Sequence, residues 1–92
     1  MLGKGEKMDK NYIFDNGLGL KAKGLLTILL NLPKDFKITQ DNLMTLAKDG
    51  RTNIKKTLTE LTDKGYLLIE QSHSNKGFVY TYTAEPIPKF LP

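Results

Sequence analysis

The chain contains no cysteine. That excludes a disulfide framework and a thiolate zinc site, and it suits a reducing, cytoplasmic setting. Its single histidine, His73, has no cysteine or second histidine with which to share a metal. No apolar run approaches the roughly 18 residues that a spanning helix needs, so no membrane partner is expected. The start, Met1-Leu2-Gly3-Lys4-Gly5-Glu6-Lys7, is polar and lacks the apolar centre of a secretory signal. Gly17-Leu18-Gly19 lacks the third glycine and the preceding strand of a dinucleotide fingerprint, and no Gly-Lys-Ser/Thr phosphate loop occurs. No catalytic residue, metal or cofactor is therefore expected, and the chain reads as a non-enzyme.

What remains is a small basic domain. A chain of 92 residues makes one domain. At that size only roughly 60–65% of the unfolded surface is buried, which leaves little room for a deep pocket beside the core. The net charge of +4 and pI near 9.3 give a modest bias toward polyanions. A total this small decides nothing, so the position of the charge is what counts.

Residues 1–11 carry Lys4, Lys7 and Lys10 without any period and read as a flexible N-terminal arm. Tyr12-Ile13-Phe14, stopped by Asp15-Asn16-Gly17, predicts a short strand or an anchored extended segment. Leu20 to Leu32 predicts a first helix, with Ala22, Leu25, Leu26, Leu29 and Leu32 at the spacing of a buried face. Ile28 and Leu30 widen that face, and Pro33 ends the helix. Thr39 is an N-cap candidate for a second helix, Gln40 to Lys48, with Leu43, Met44 and Ala47 or Leu46 inward. Asp49-Gly50 breaks it, which predicts a link of about three residues to a third helix, Arg51 to Lys64, stopped by Gly65. Tyr66–Gln71 and Phe78–Thr83 predict two strands. Between them Ser72–Gly77 predicts a polar turn, with Asn75 to Gly77 offering positive φ. The tail, 85–92, holds Pro86 and Pro88 and is either packed on the domain or a linker.

The expected fold is α+β: three helices, then a two-stranded β-hairpin, with an N-terminal strand as an addition. In this order the elements over 12–84 make a winged helix-turn-helix, a shape that places one helix in a DNA groove. On a helical wheel with Ile54, Leu58 and Leu61 inward, Thr52, Lys56 and Thr59 point outward, flanked by Asn53 and Lys55. Lysine and arginine bond guanine edges or phosphates, asparagine pairs with adenine, and threonine reaches either a base or a phosphate. Lys48 and Arg51 lie near the helix start, where unbonded backbone amides favour a phosphate. At the hairpin tip His73, Asn75 and Lys76 offer a weaker contact, with one lysine and no arginine. The expected DNA-binding set is thus Lys48, Arg51, Thr52, Asn53, Lys55, Lys56, Thr59, His73, Asn75 and Lys76. An ordinary solvated helix face is the competing reading.

Leu18-Gly19-Leu20-Lys21-Ala22-Lys23-Gly24-Leu25-Leu26, Leu32-Pro33-Lys34-Asp35-Phe36, Gly50-Arg51-Thr52-Asn53-Ile54 and Leu58–Leu67 together resemble one known domain. It is the winged-helix domain of bacterial phage and plasmid replication initiators and replisome organisers, including the N-terminal domain of DnaD-like primosomal proteins. The resemblance spans roughly residues 12–84. It implies a DNA-binding helix at Arg51, Thr52, Asn53, Lys55 and Lys56, double-stranded DNA as partner, and replication proteins as further partners. It also implies self-association as a homodimer or higher oligomer. Two departures stand out: Gly19 replaces the family's usual capping serine, and Ser72–Gly77 is shorter and less basic than the usual wing. A winged-helix transcriptional regulator and a protein-interaction module with weak DNA affinity are the alternatives. The second is motivated by Ile28, Leu30, Ile87, Phe90 and Leu91.

Overall fold

A computed structural model describes residues 11–91. The elements are a turn of 3-10 helix (Asn11–Phe14), α1 (Leu20–Leu30), α2 (Gln40–Met44), α3 (Arg51–Asp63), β1 (Leu67–Ser74) and β2 (Gly77–Ala84). The result is a small α+β domain in which three helices precede an antiparallel hairpin. The N-terminal arm and its lysines at 4, 7 and 10 lie outside the described residues.

The expected N-terminal strand is absent. Residues 11–14 curl instead, because Tyr12 turns inward and is buried. Its hydroxyl meets Thr27 Oγ1 at 2.7 Å. Thr27 already gives its only hydroxyl hydrogen to the Lys23 carbonyl, so Tyr12 is the donor. Asp15 closes the turn by accepting from the Gly17 amide at 2.8 Å.

The core joins Tyr12, Leu18, Ala22, Leu26 and Leu29 to Leu43, Ile54, Leu58, Leu61, Tyr66 and Leu67. Leu26 and Leu61 are completely buried, so the α1–α3 contact is the centre of the molecule. α1 ends at Leu30 rather than Leu32. The Asn31 amide bonds the Ile28 carbonyl, its side chain bonds the Thr27 carbonyl, and Pro33 keeps Leu32 out of helical geometry. The start of α1 is capped from a distance. Gly19 has no side chain to offer, and its own amide donates to Glu60 Oε2 of α3 at 2.8 Å.

α2 is shorter than the sequence predicts. Thr39 caps it as expected, accepting from the Asn42 amide at 3.0 Å. It stops at Met44, because the Thr45 hydroxyl turns back onto the Asn42 carbonyl and the chain tightens into i→i+3 bonds. Residues 45–50 then form a linker longer than the expected three. Leu46 and Ala47 lie exposed on it rather than inward, and Lys48 sits on a bend and not on a helix.

α3 buries Ile54, Leu58 and Leu61, together with Thr57, whose hydroxyl is satisfied by the Asn53 carbonyl. Gly65 ends it at φ +83, the left-handed geometry that glycine tolerates best. The strands run past the expected turn: Ser72, His73 and Ser74 belong to β1, and Gly77 belongs to β2. Only Asn75 and Lys76 form the turn. Asn75 is not left-handed, and Gly77 alone has positive φ, at +116. Ser74 holds this tighter turn by accepting from the Lys76 amide and donating to the Gly77 carbonyl. The tail is packed on the domain. The Glu85 amide donates to the Tyr66 carbonyl and the Phe90 amide to the Gly65 carbonyl, which closes a loop around the root of the hairpin.

Candidate nucleic-acid interface

The core residues of α3 fix what its remaining faces present. With Ile54, Leu58 and Leu61 inward, Thr52, Lys56 and Thr59 lie on the opposite side and are exposed. Arg51 and Lys55, one turn apart, face the hairpin, while Glu60 turns toward α1 to reach Gly19. Asn53 is exposed on the remaining flank, and Lys48 is exposed on the bend before the helix. Seven of the sequence-predicted residues therefore gather at α3 and its approach. Gly50 caps the helix without a side-chain bond, so the first-turn amides keep their affinity for an anion.

Two of these residues are less free than the wheel implies. Arg51 pairs with Asp41 of α2, both side chains exposed. Such exposed pairs contribute about 0–1 kcal/mol, so a phosphate can compete for the guanidinium. The Thr59 hydroxyl donates to the Lys55 carbonyl at 3.0 Å, which leaves its oxygen as an acceptor.

His73, Asn75 and Lys76 stand apart. The turn lies about 25 Å from the hairpin root, at roughly 3.4 Å per residue. His73 is not in the turn. It stands on β1 directly opposite Phe78, with ring centroids 4.6 Å apart and planes nearly perpendicular.

Between these two groups runs a groove of about 580 Å³ that the sequence alone does not reveal. Its helix side carries Lys37, Arg51 and Lys55 with Asp41, and its hairpin side carries Ile69, Phe78, Tyr80 and Tyr82. Among the described residues, three cations against one carboxylate leave it positive. Tyr82 is the half-buried end, and burial raises its phenol above the ordinary value, with neighbouring Tyr80 adding to the shift. One trace of the groove is visible in the sequence: the alternation Phe78-x-Tyr80-x-Tyr82 puts all three rings on one face. Without the facing helix, that alternation signals strand propensity and nothing more.

A second, apolar groove of about 200 Å³ lies between α1 and the α2–α3 linker, lined by Leu25, Ile28, Leu46 and Ala47 among others. Among the described residues no three His, Asp or Glu side chains cluster as a metal site would, and no helix is long and apolar enough to cross a membrane. No family model, curated protein or solved structure matches the chain.

Proposed function

We propose that this chain is a winged-helix DNA-binding module, with α3 as the groove-reading helix and the hairpin as the wing. One observation carries the reading: the face of α3 opposite the core, Thr52, Lys56 and Thr59, is exposed and covered by neither hairpin nor helix. Lys55 and Arg51 on one side and Asn53 on the other extend that surface. Lysine and arginine supply phosphate contacts, and Asn53 and Thr52 supply base-edge donors and acceptors. The sequence resemblance points to replication initiation or replisome organisation as the setting. Transcriptional control uses the same geometry.

Anisotropy titration of labelled duplex DNA at several salt concentrations tests this. Removing one lysine–phosphate interaction should reduce the log–log salt slope by about 0.9. Lys55→Ala/Lys56→Ala should weaken binding and flatten the slope. Unchanged affinity and slope would assign DNA binding, if any, to another surface.

The apolar groove supports a second reading, self-association. Ile28 lines it, joined by the exposed Leu46 and Ala47, whereas Leu30 packs against the core. The tail residues Phe90 and Leu91 instead lie against Gly65. Light scattering tests this: a strict monomer at high concentration removes the reading.

A further inference from the structure

The hairpin carries a row of rings that a duplex contact through α3 leaves unused. Phe78, Tyr80 and Tyr82 share one face of β2, and Phe78 and Tyr80 are 57% and 52% exposed. They look across the groove at Lys55, Arg51 and Lys37. We propose that this groove binds an unpaired DNA strand, with bases stacked on Phe78 and Tyr80 and phosphates held by Lys55, Arg51 and Lys37. The inference rests on the DNA-binding reading above and adds a strand site to it.

Aromatic rings beside a positive groove are the two parts that single-strand binding needs, since every base has a face to stack and every linkage a charge to neutralise. The spacing favours an unpaired strand over a duplex. Alternate residues on a strand lie about 6.8 Å apart, twice the roughly 3.4 Å between successive bases along one duplex strand. Bases can therefore meet successive rings only when the strand is extended and unstacked. His73, perpendicular to Phe78, restrains that ring before any base arrives. A second copy of the chain fits this face poorly, because it would bring two sets of the same cations together.

The test is anisotropy with a labelled oligothymidylate of about 12 nucleotides, within the roughly 4–16 nucleotides such sites cover. An abasic oligonucleotide of equal length, an oligouridylate and a duplex are titrated beside it. Oligothymidylate should bind at least tenfold tighter than the abasic strand. Phe78→Ala and Tyr80→Ala should each weaken it about tenfold, while duplex affinity stays within about twofold. Tyr80→Leu keeps an apolar side chain in the strand, and should weaken binding as Tyr80→Ala does. Equal binding of the abasic strand, unchanged affinity in the ring variants, or tighter binding of oligouridylate overturns the proposal. So does a dimer that the ring variants dissolve. Duplex titration decides the earlier reading separately: a chain that binds oligothymidylate through its rings but no duplex keeps this site and loses the groove-reading helix.

Discussion

Tyr66 donates its hydroxyl hydrogen to Asp15 Oδ2 at 2.7 Å, tying the turn before α1 to the root of the hairpin across 51 positions of sequence. The bond marks both groups. The Tyr66 hydrogen bond and then the Gly17 amide hold the Asp15 carboxyl below its ordinary value. Burial first, and Asp15 second, push the Tyr66 phenol up to about 12.

The pH dependence follows from those directions. A depressed carboxyl contributes stability above its unfolded pKa and loses it as pH falls through the lower folded value. A raised phenol contributes stability below its unfolded pKa, about 10, and loses it as pH climbs toward 12. Urea unfolding should therefore show stability falling between pH about 10 and 12. Tyr66→Phe should remove the Tyr66 share of that alkaline loss, leaving that of Tyr82, and should flatten the acid-side loss as well, because Asp15 is then less depressed. A Tyr66→Phe profile parallel to wild type at both ends would remove the bond from the account.

Glu60 caps a helix that is not its own. Glu60→Ala should cost about 1 kcal/mol, as the loss of a cap does, whereas Glu60→Gln keeps the acceptor and should cost less. A Cβ at position 19 would meet Glu60 Oε2 at 3.5 Å, an ordinary contact, so serine fits there. Gly19→Ser should gain a few tenths of a kcal/mol alone and more in the Glu60→Ala background. Chemical denaturation of the four proteins measures that coupling, and strict additivity would contradict it.

Asp41 holds Arg51 and lines the positive groove. Asp41→Asn should free the guanidinium and remove a carboxylate from the groove in which the proposed DNA phosphate would sit. DNA affinity should rise several-fold with a steeper salt slope. Stability should fall by no more than about 1 kcal/mol, since both side chains are exposed. Equal or weaker DNA binding in this variant would show that Arg51 takes no part.

Gly65 meets two requirements at once. Its φ is +83, and a Cβ would lie 2.7 Å from Leu91 Cγ and 2.9 Å from the Leu91 amide nitrogen. Gly65→Ala should destabilise by more than about 1 kcal/mol in urea titration. Adding Leu91→Ala should recover only part, because the backbone strain and the amide contact stay.

Much of this molecule is legible in its sequence because local rules govern it. α3 carries its apolar period and its glycine stop, and Thr39 sits where a cap belongs. Legibility fails where side chains bond backbone. Thr45 shortens α2 and Ser74 tightens the hairpin turn, and neither residue type is diagnostic on its own. It fails again where distant residues meet. Glu60 under Gly19 and the rings of β2 beside Lys55 lie far apart in sequence, and Asp41 meets Arg51 across the α2–α3 linker, so only the fold brings them together. The exposed basic face of α3 can be read from a wheel; the groove beside it cannot.

The loop that the tail closes around Gly65 and Tyr66 makes the hairpin a cantilever. Its root is built in by the Glu85 and Phe90 amides and by buried Leu67. From Glu70 through Thr81 every residue is exposed, so among the described residues no buried side chain braces the span. Amide exchange should accelerate from root to tip, since backbone bonds without buried neighbours open at low free energy. A load on Phe78 or Lys76 is then borne at the root, where Tyr66 and Leu67 are buried at the end of α3.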